Sequence, residues 1–219
     1  MSLAISFYNS HGIVMSADRR ITTTINKTAA TKESFLLTDT EQKLFRLSEQ
    51  CGLSVTGSFS FNGLPVSSII NSYIFNHDVE KETPSQYLLY LAEYIKNLHN
   101  SDSDNCILIL SGYRNTIPFV FSCGTSKLSV CNHIEEGSKH AVVYSGESDL
   151  LGILLNSKGF SYDYSKFTLC DVINFSRFMT KTVAGLQRYQ QRIQTVSDDC
   201  DILCFTPHKS LWIDHLTLQ

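Results

Sequence analysis

The chain has 219 residues, 42% of them hydrophobic and 18% charged, with a formal net charge of −3. That length suffices for one domain (1–219) with a substantial core, and no Pro- or Ser-rich linker, low-complexity tract or repeat divides it. The small net charge gives no electrostatic reason to expect nucleic acid or an anionic membrane as partner, and the apolar runs are too short to span a bilayer.

In chain order, "LAISFY" and "IVMSA" alternate as two strands joined at "NSHG", a turn containing glycine. The polar residues from Thr22 to Thr40 read as a long loop. "KLFRLS" and "CGLSVTG" predict a second strand pair. The period then becomes helical in "FNGLPVSSIINSYIFNH" and, more clearly, in "TPSQYLLYLAEYIKNLHN", with Thr83 as N-cap and Pro84 in the first turn. The polar loop "NSDSDN" ends that helix, and "CILILSG", "IPFVFSC", "LSVCN" and "AVVYSG" follow as strands. One helix starts near Glu147, just after Gly146, and another runs from Asp171 to Gln191. "CDILCFTP" and "SLWIDHL" close the chain as strands. Blocks of strands alternating with pairs of helices favour a layered α+β sandwich over a βαβ parallel sheet.

The seven cysteines at 51, 106, 123, 131, 170, 200 and 204 are odd in number and show no C-x-x-C spacing, which predicts buried apolar residues in a reduced cytosol. No basic region followed by an apolar core opens the chain, so no secretory leader is expected and a cytoplasmic location is. No G-x-S-x-G elbow, Walker loop, dinucleotide fingerprint or H-E-x-x-H is present, and neither cofactor nor metal is expected. The acidic run of Asp198, Asp199 and Asp201 suggests a cation site or, more simply, a polar turn leading into a strand, and the turn is the favoured reading.

The amino terminus is the remaining chemical signal. Met1 precedes Ser2, a small residue, so removal of the initiator methionine is expected. The trimmed chain would then carry a free α-amine and a hydroxyl on one residue. Such an amine has a pKa of roughly 7.7–8.0, where a general base works well near neutral pH. It could take the Ser2 proton directly or through one water, given a nearby positive charge and a donor for the oxyanion.

The segments "SLAISF…HGIVMSADRR", "QKLFRL", "GLSVTGS" and "YSGES" together resemble the proteasome β-subunit family of N-terminal-nucleophile hydrolases, including the bacterial proteasome-like peptidases. The likeness spans most of the chain in element order and is sharp only over roughly the first sixty residues and around Ser145-Gly146. It implies a four-layer αββα sandwich with the nucleophile between two sheets. By the same resemblance Ser2 is the nucleophile and its amine the base. Lys43 lowers the amine's pKa and orients the hydroxyl, and Asp18 keeps Lys43 charged. The Gly57 N–H is the oxyanion donor, Ser145 bonds near the amine, and Arg20 braces the Asp18 turn. Lys27 and Lys32 compete with Lys43 for its place, but neither opens an apolar strand.

Three features depart from the family pattern. Serine replaces threonine and lacks its rotamer-restricting β-methyl. The segment before Lys43 is long. The Asp-x-x-Ser-Gly-Gly support found in many members is replaced by "RIQTVSDDCDIL", with Ser197 and Asp198 where the glycines would stand. The implied function is an amide-bond hydrolase, most simply a peptidase of proteasome type acting on peptides or proteins. A homo-oligomeric ring and a separate ATPase unfoldase are its implied partners. The alternatives are a non-catalytic structural ring subunit of the proteasome-α kind and a small-molecule amidase.

Overall fold

The computed structural model describes residues 2–26, 32–98, 105–156 and 162–215. The first hairpin forms where its alternation calls for it, as β1 (Leu3–Asn9) and β2 (Gly12–Asp18). The expected loop from Thr22 to Thr40 is instead a two-stranded ribbon of β3 (Ile21–Asn26) and β4 (Lys32–Thr38). Its threonines and leucines suit a pleated backbone, but no buried face marks them as strand in the sequence. Lys32 thus begins a strand, whereas Lys27 lies outside the described residues.

Next come β5 (Leu44–Ser48) and β6 (Cys51–Gly57), then a small hairpin of β7 (Ser60–Phe61) and β8 (Leu64–Pro65). This hairpin takes up the first residues of the expected helix, so α1 (Val66–Asn76) starts late. In α2 (Pro84–Asn97) the Thr83 side chain accepts a hydrogen bond from the Gln86 N–H, and Pro84 occupies the first turn. Most of the "NSDSDN" segment lies outside the described residues.

The chain continues through β9 (Cys106–Arg114), β10 (Ile117–Gly124), β11 (Val130–Asn132) and β12 (His140–Gly146). It then passes through α3 (Ser148–Asn156), α4 (Leu169–Gln187), β13 (Cys200–Thr206) and β14 (Lys209–Asp214). α4 begins before Asp171 because Thr168 and Asp171 form a capping box.

The strands make two antiparallel five-stranded sheets, ordered β12-β1-β2-β13-β14 and β11-β10-β9-β6-β5. Leu3, Ile5 and Phe7 point to one side of the first sheet, where they pack with Leu151 of α3 and Met179 and Val183 of α4. Leu53, Val55, Leu108 and Leu110 of the second sheet pack with Ile70 of α1 and Leu88 and Leu91 of α2. A third cluster holds Ala4, Ile13, Met15, Leu44, Tyr113 and Phe205 between the sheets. Small Ala4 on one sheet and the paired hydroxyls of Ser6 and Ser111, 2.8 Å apart, keep this interlayer narrow and partly polar.

The expected four-layer αββα sandwich is corrected accordingly. The described residues form a mostly antiparallel β structure, with two further ribbons and only four α-helices. These helices have 11, 14, 9 and 19 residues. The backbone continues as paired strands over 21–26, 32–38, 60–61 and 64–65, where loop and helix are expected.

All seven cysteines are free; five are buried, while Cys131 and Cys170 are exposed. Among the described residues no helix is long and apolar enough to cross a membrane.

Candidate active site

The first strand of the first sheet brings Ser2 to the mouth of the interlayer. Ser2 sits just before β1, and its carbonyl accepts a 2.8 Å hydrogen bond from the Glu147 N–H. The β1–β12 register sets Leu3 opposite Gly146. Gly146 has φ +97°, and a Cβ there would lie 1.7 Å from the Ser2 carbonyl oxygen. Only glycine permits both that backbone and that approach. A Gly146→Ala variant is expected to lose at least about 2 kcal/mol of stability, from left-handed strain and the displaced carbonyl. Thermal unfolding checks this, with a melting temperature about 4–8 °C lower.

Asp18 ends β2 and is fully buried, 0% exposed. Its Oδ1 accepts from the Leu3 N–H at 2.9 Å and from Lys43 Nζ at 2.9 Å. Its Oδ2 accepts from the Arg20 N–H at 2.9 Å and the Ser197 N–H at 3.2 Å. Both oxygens are therefore saturated by donors, as a buried carboxylate requires.

Lys43 stands just before β5, and its ammonium reaches across to the first sheet. Nζ donates to Ser2 Oγ at 3.1 Å, to Asp18 Oδ1 at 2.9 Å and to the Arg20 carbonyl. All three of its protons thus have acceptors. Burial pushes the Lys43 ammonium below the usual lysine range, and the Asp18 carboxylate works against that shift. Ser2 and Lys43 are both 0% exposed.

Arg20 braces the turn by its main chain, through its N–H on Asp18 and its carbonyl on Lys43. Its guanidinium turns away, to Asp39 at 2.6 and 2.8 Å. Ser145 is buried on β12, but its hydroxyl pairs with Thr56 of the facing sheet at 2.8 Å. Among the described residues it makes no hydrogen bond to Ser2. Gly57 ends β6 with φ +106° and is exposed; a Cβ there would lie 2.2 Å from the Asn105 carbonyl oxygen. It edges a cleft of about 530 Å³ shared with Thr22, Glu41 and Phe59. The Phe59 ring lies 4.8 Å from Lys43 Nζ, which joins the cleft to the buried triad.

Further supporting groups come from distant segments. Ser197 Oγ accepts from the Arg19 N–H at 3.1 Å, alongside its own N–H on Asp18. Arg19 also pairs with Asp201, so the acidic run does more than make a polar turn. Behind Ser2, the buried Glu147 carboxylate accepts from Thr195 Oγ1 at 2.8 Å and from Arg192 at 2.7 and 3.2 Å. No local sequence signal marks Thr56, Thr195 or Arg192. Arg192, Thr195 and Ser197 all lie in the segment "RIQTVSDDCDIL", but only Ser197 stands at a position the family pattern specifies. Among the described residues no three His, Cys, Asp or Glu side chains cluster as a metal site.

The structure of the Anbu (Gly-1) mutant from Hyphomicrobium sp. strain MC1 is similar, with a TM-score of 0.63 over 97% of this chain and 87% of that chain. The two sequences are 14% identical, so the likeness speaks for the fold alone. No protein-family model matches the sequence, and no curated protein does. Membership in the proteasome β-subunit family, expected from the sequence motifs, is therefore corrected. The likeness to the Anbu structure is one of fold.

Proposed function

We propose that the chain is an amide-bond hydrolase, acting on peptides, with Ser2 as nucleophile once Met1 is removed. The observation that carries this reading is the buried contact of Lys43 Nζ with both Ser2 Oγ and Asp18 Oδ1. A buried ion pair is a poor stabilising device, because well-packed apolar residues of similar volume often do as well or better. A charged lysine held against a serine hydroxyl gains its rationale from chemistry.

Ser2 Oγ attacks the amide carbon, and its proton passes to the Ser2 α-amine. The Gly57 N–H receives the oxyanion. Collapse breaks the C–N bond, with the amine's proton going to the leaving nitrogen. Water, deprotonated by the same amine, then cleaves the ester and restores Ser2. The Lys43 charge disfavours a protonated amine and so keeps the base free near neutral pH. A ring of copies enclosing the site and a separate ATPase unfoldase belong to this proposal.

Intact mass spectrometry tests it. The protein should lack Met1 and gain one acyl group at Ser2 from a β-lactone. Retained Met1, or acylation elsewhere, ends the reading.

The pH profile of kcat/KM should be bell-shaped. On the acid side a protonated α-amine cannot accept the proton, so the rate rises as the amine loses its proton, below the ordinary α-amine range of roughly 7.7–8.0 because the Lys43 charge lowers it. On the alkaline side Lys43 loses its charge, and burial places that limb below the ordinary lysine value. A rate still climbing at pH 10.5 would remove Lys43 from the mechanism.

A further inference from the structure

The cleft beside Gly57 is chemically lopsided. Thr22, Thr23, Ser58 and the aromatic Phe59 line it, and Glu41 is the one charged residue among those that do. One carboxylate oxygen of Glu41, Oε1, is shut off from solvent and has no hydrogen-bond partner among the described residues. An ionised oxygen left so is costly unless a donor arrives. Lys43 feels the Glu41 charge through space but gives Oε1 no hydrogen bond, and neither does Arg20. Lys43 Nζ spends its protons on Ser2, Asp18 and the Arg20 carbonyl. The Arg20 guanidinium is held by both oxygens of Asp39. Glu41 itself is fixed by its backbone, whose N–H donates to the Arg19 carbonyl at 3.2 Å.

We propose that this cleft is a subsite for a cationic side chain, arginine or lysine, on the acyl side of the scissile amide, with Glu41 as its counter-charge. The assignment rests on the hydrolase reading above, since it takes Gly57 as the point where the scissile carbonyl sits. A residue whose carbonyl lies at Gly57 projects its side chain into the space that Gly57 borders. About 530 Å³ is ample for a long side chain, and it falls in the range typical of ligand pockets. The Glu41 carboxylate accepts hydrogen bonds of the kind a guanidinium fork or an ammonium donates, and the hydroxyl oxygens of Thr22, Thr23 and Ser58 can accept beside it. Phe59 adds an aromatic wall for the aliphatic stem.

The test uses two peptides that differ at that one residue, arginine in one and its neutral isostere citrulline in the other. Against the Ser2→Ala protein, calorimetry should show the arginine peptide binding at least tenfold more tightly. With Glu41→Gln added the gap should close to less than about twofold, and with Glu41→Asp, which keeps the charge, most of it should remain. Equal binding of the two peptides, no binding of either, or a gap that Glu41→Gln leaves intact would overturn the assignment. Thermal melting of each variant accompanies the titration. The kinetic arm keeps the two readings apart. An arginine preference in binding without acylation at Ser2 leaves the cation subsite standing and removes the hydrolase. Acylation of the wild type with equal kcat/KM for both peptides does the reverse.

Discussion

A Ser2→Ala variant is expected to fold normally and to lose peptide turnover by at least about 10⁴-fold, the scale seen when a nucleophile is deleted from a covalent hydrolase. The two effects separate because the Ser2 main chain, not its hydroxyl, ties the terminus into the fold. The Ser2 carbonyl stays on the Glu147 N–H, and the next peptide N–H stays on Asp18. Lys43 loses one acceptor but keeps Asp18 and the Arg20 carbonyl. Stability should therefore change by no more than about 1 kcal/mol, since one hydrogen bond of modest net worth is lost. Turnover of a fluorogenic peptide and a melting curve together read the outcome. A Ser2→Ala protein that turns over peptide at the parent rate would move the chemistry elsewhere. A parent with no turnover and no acylation would instead favour a structural subunit.

The residues that bear charge at the site were legible for a local reason. Asp18 ends a strand, Lys43 opens one, and each follows or precedes an apolar run whose alternation fixes its side of the sheet. Their meeting across 25 positions is tertiary, yet the order of the surrounding motifs was enough to pair them. The groups that complete the site were not legible. Ser197 bonds Asp18 from 179 positions away, and Thr195 reaches Glu147 from 48. Hydroxyls and main-chain N–H groups carry no sequence periodicity, so nothing local singles them out. Glu147 was legible only as an acid at a helix start, a common dipole-complementing place. Ser145 was assigned toward the amine, but Thr56 lies opposite it on the other sheet and takes its hydroxyl. The β3–β4 ribbon failed for the complementary reason. None of its residues whose burial is described is buried, so the ribbon looks like a polar loop. The upstream bound of α4 could have been read, since a threonine three residues before an aspartate is a cap signal.

A Lys43→Met variant should lose both stability and activity, and the two losses have different causes. Removing the ammonium leaves the Asp18 carboxylate fully buried with three main-chain N–H donors, those of Leu3, Arg20 and Ser197, and no counter-charge. Breaking a buried pair from one side costs about 3–5 kcal/mol. For a chain of this length that is a melting temperature lower by about 6–20 °C. Turnover should fall by at least about 10³-fold, because the α-amine loses the neighbour that keeps it unprotonated and Ser2 Oγ loses its donor. Adding Asp18→Asn to Lys43→Met separates the causes. The neutral amide removes the stranded charge, so at least half of the lost stability should return, and the coupling energy between the two sites should be large. Activity should not return, because neither side chain can then set the charge at Ser2. If the double variant instead recovers turnover along with stability, the lysine serves the fold alone, and the buried triad is packing that happens to touch a serine. If stability fails to recover, the carboxylate is itself needed to hold the Leu3, Arg20 and Ser197 main chains together, and Lys43 is the lesser partner of the pair.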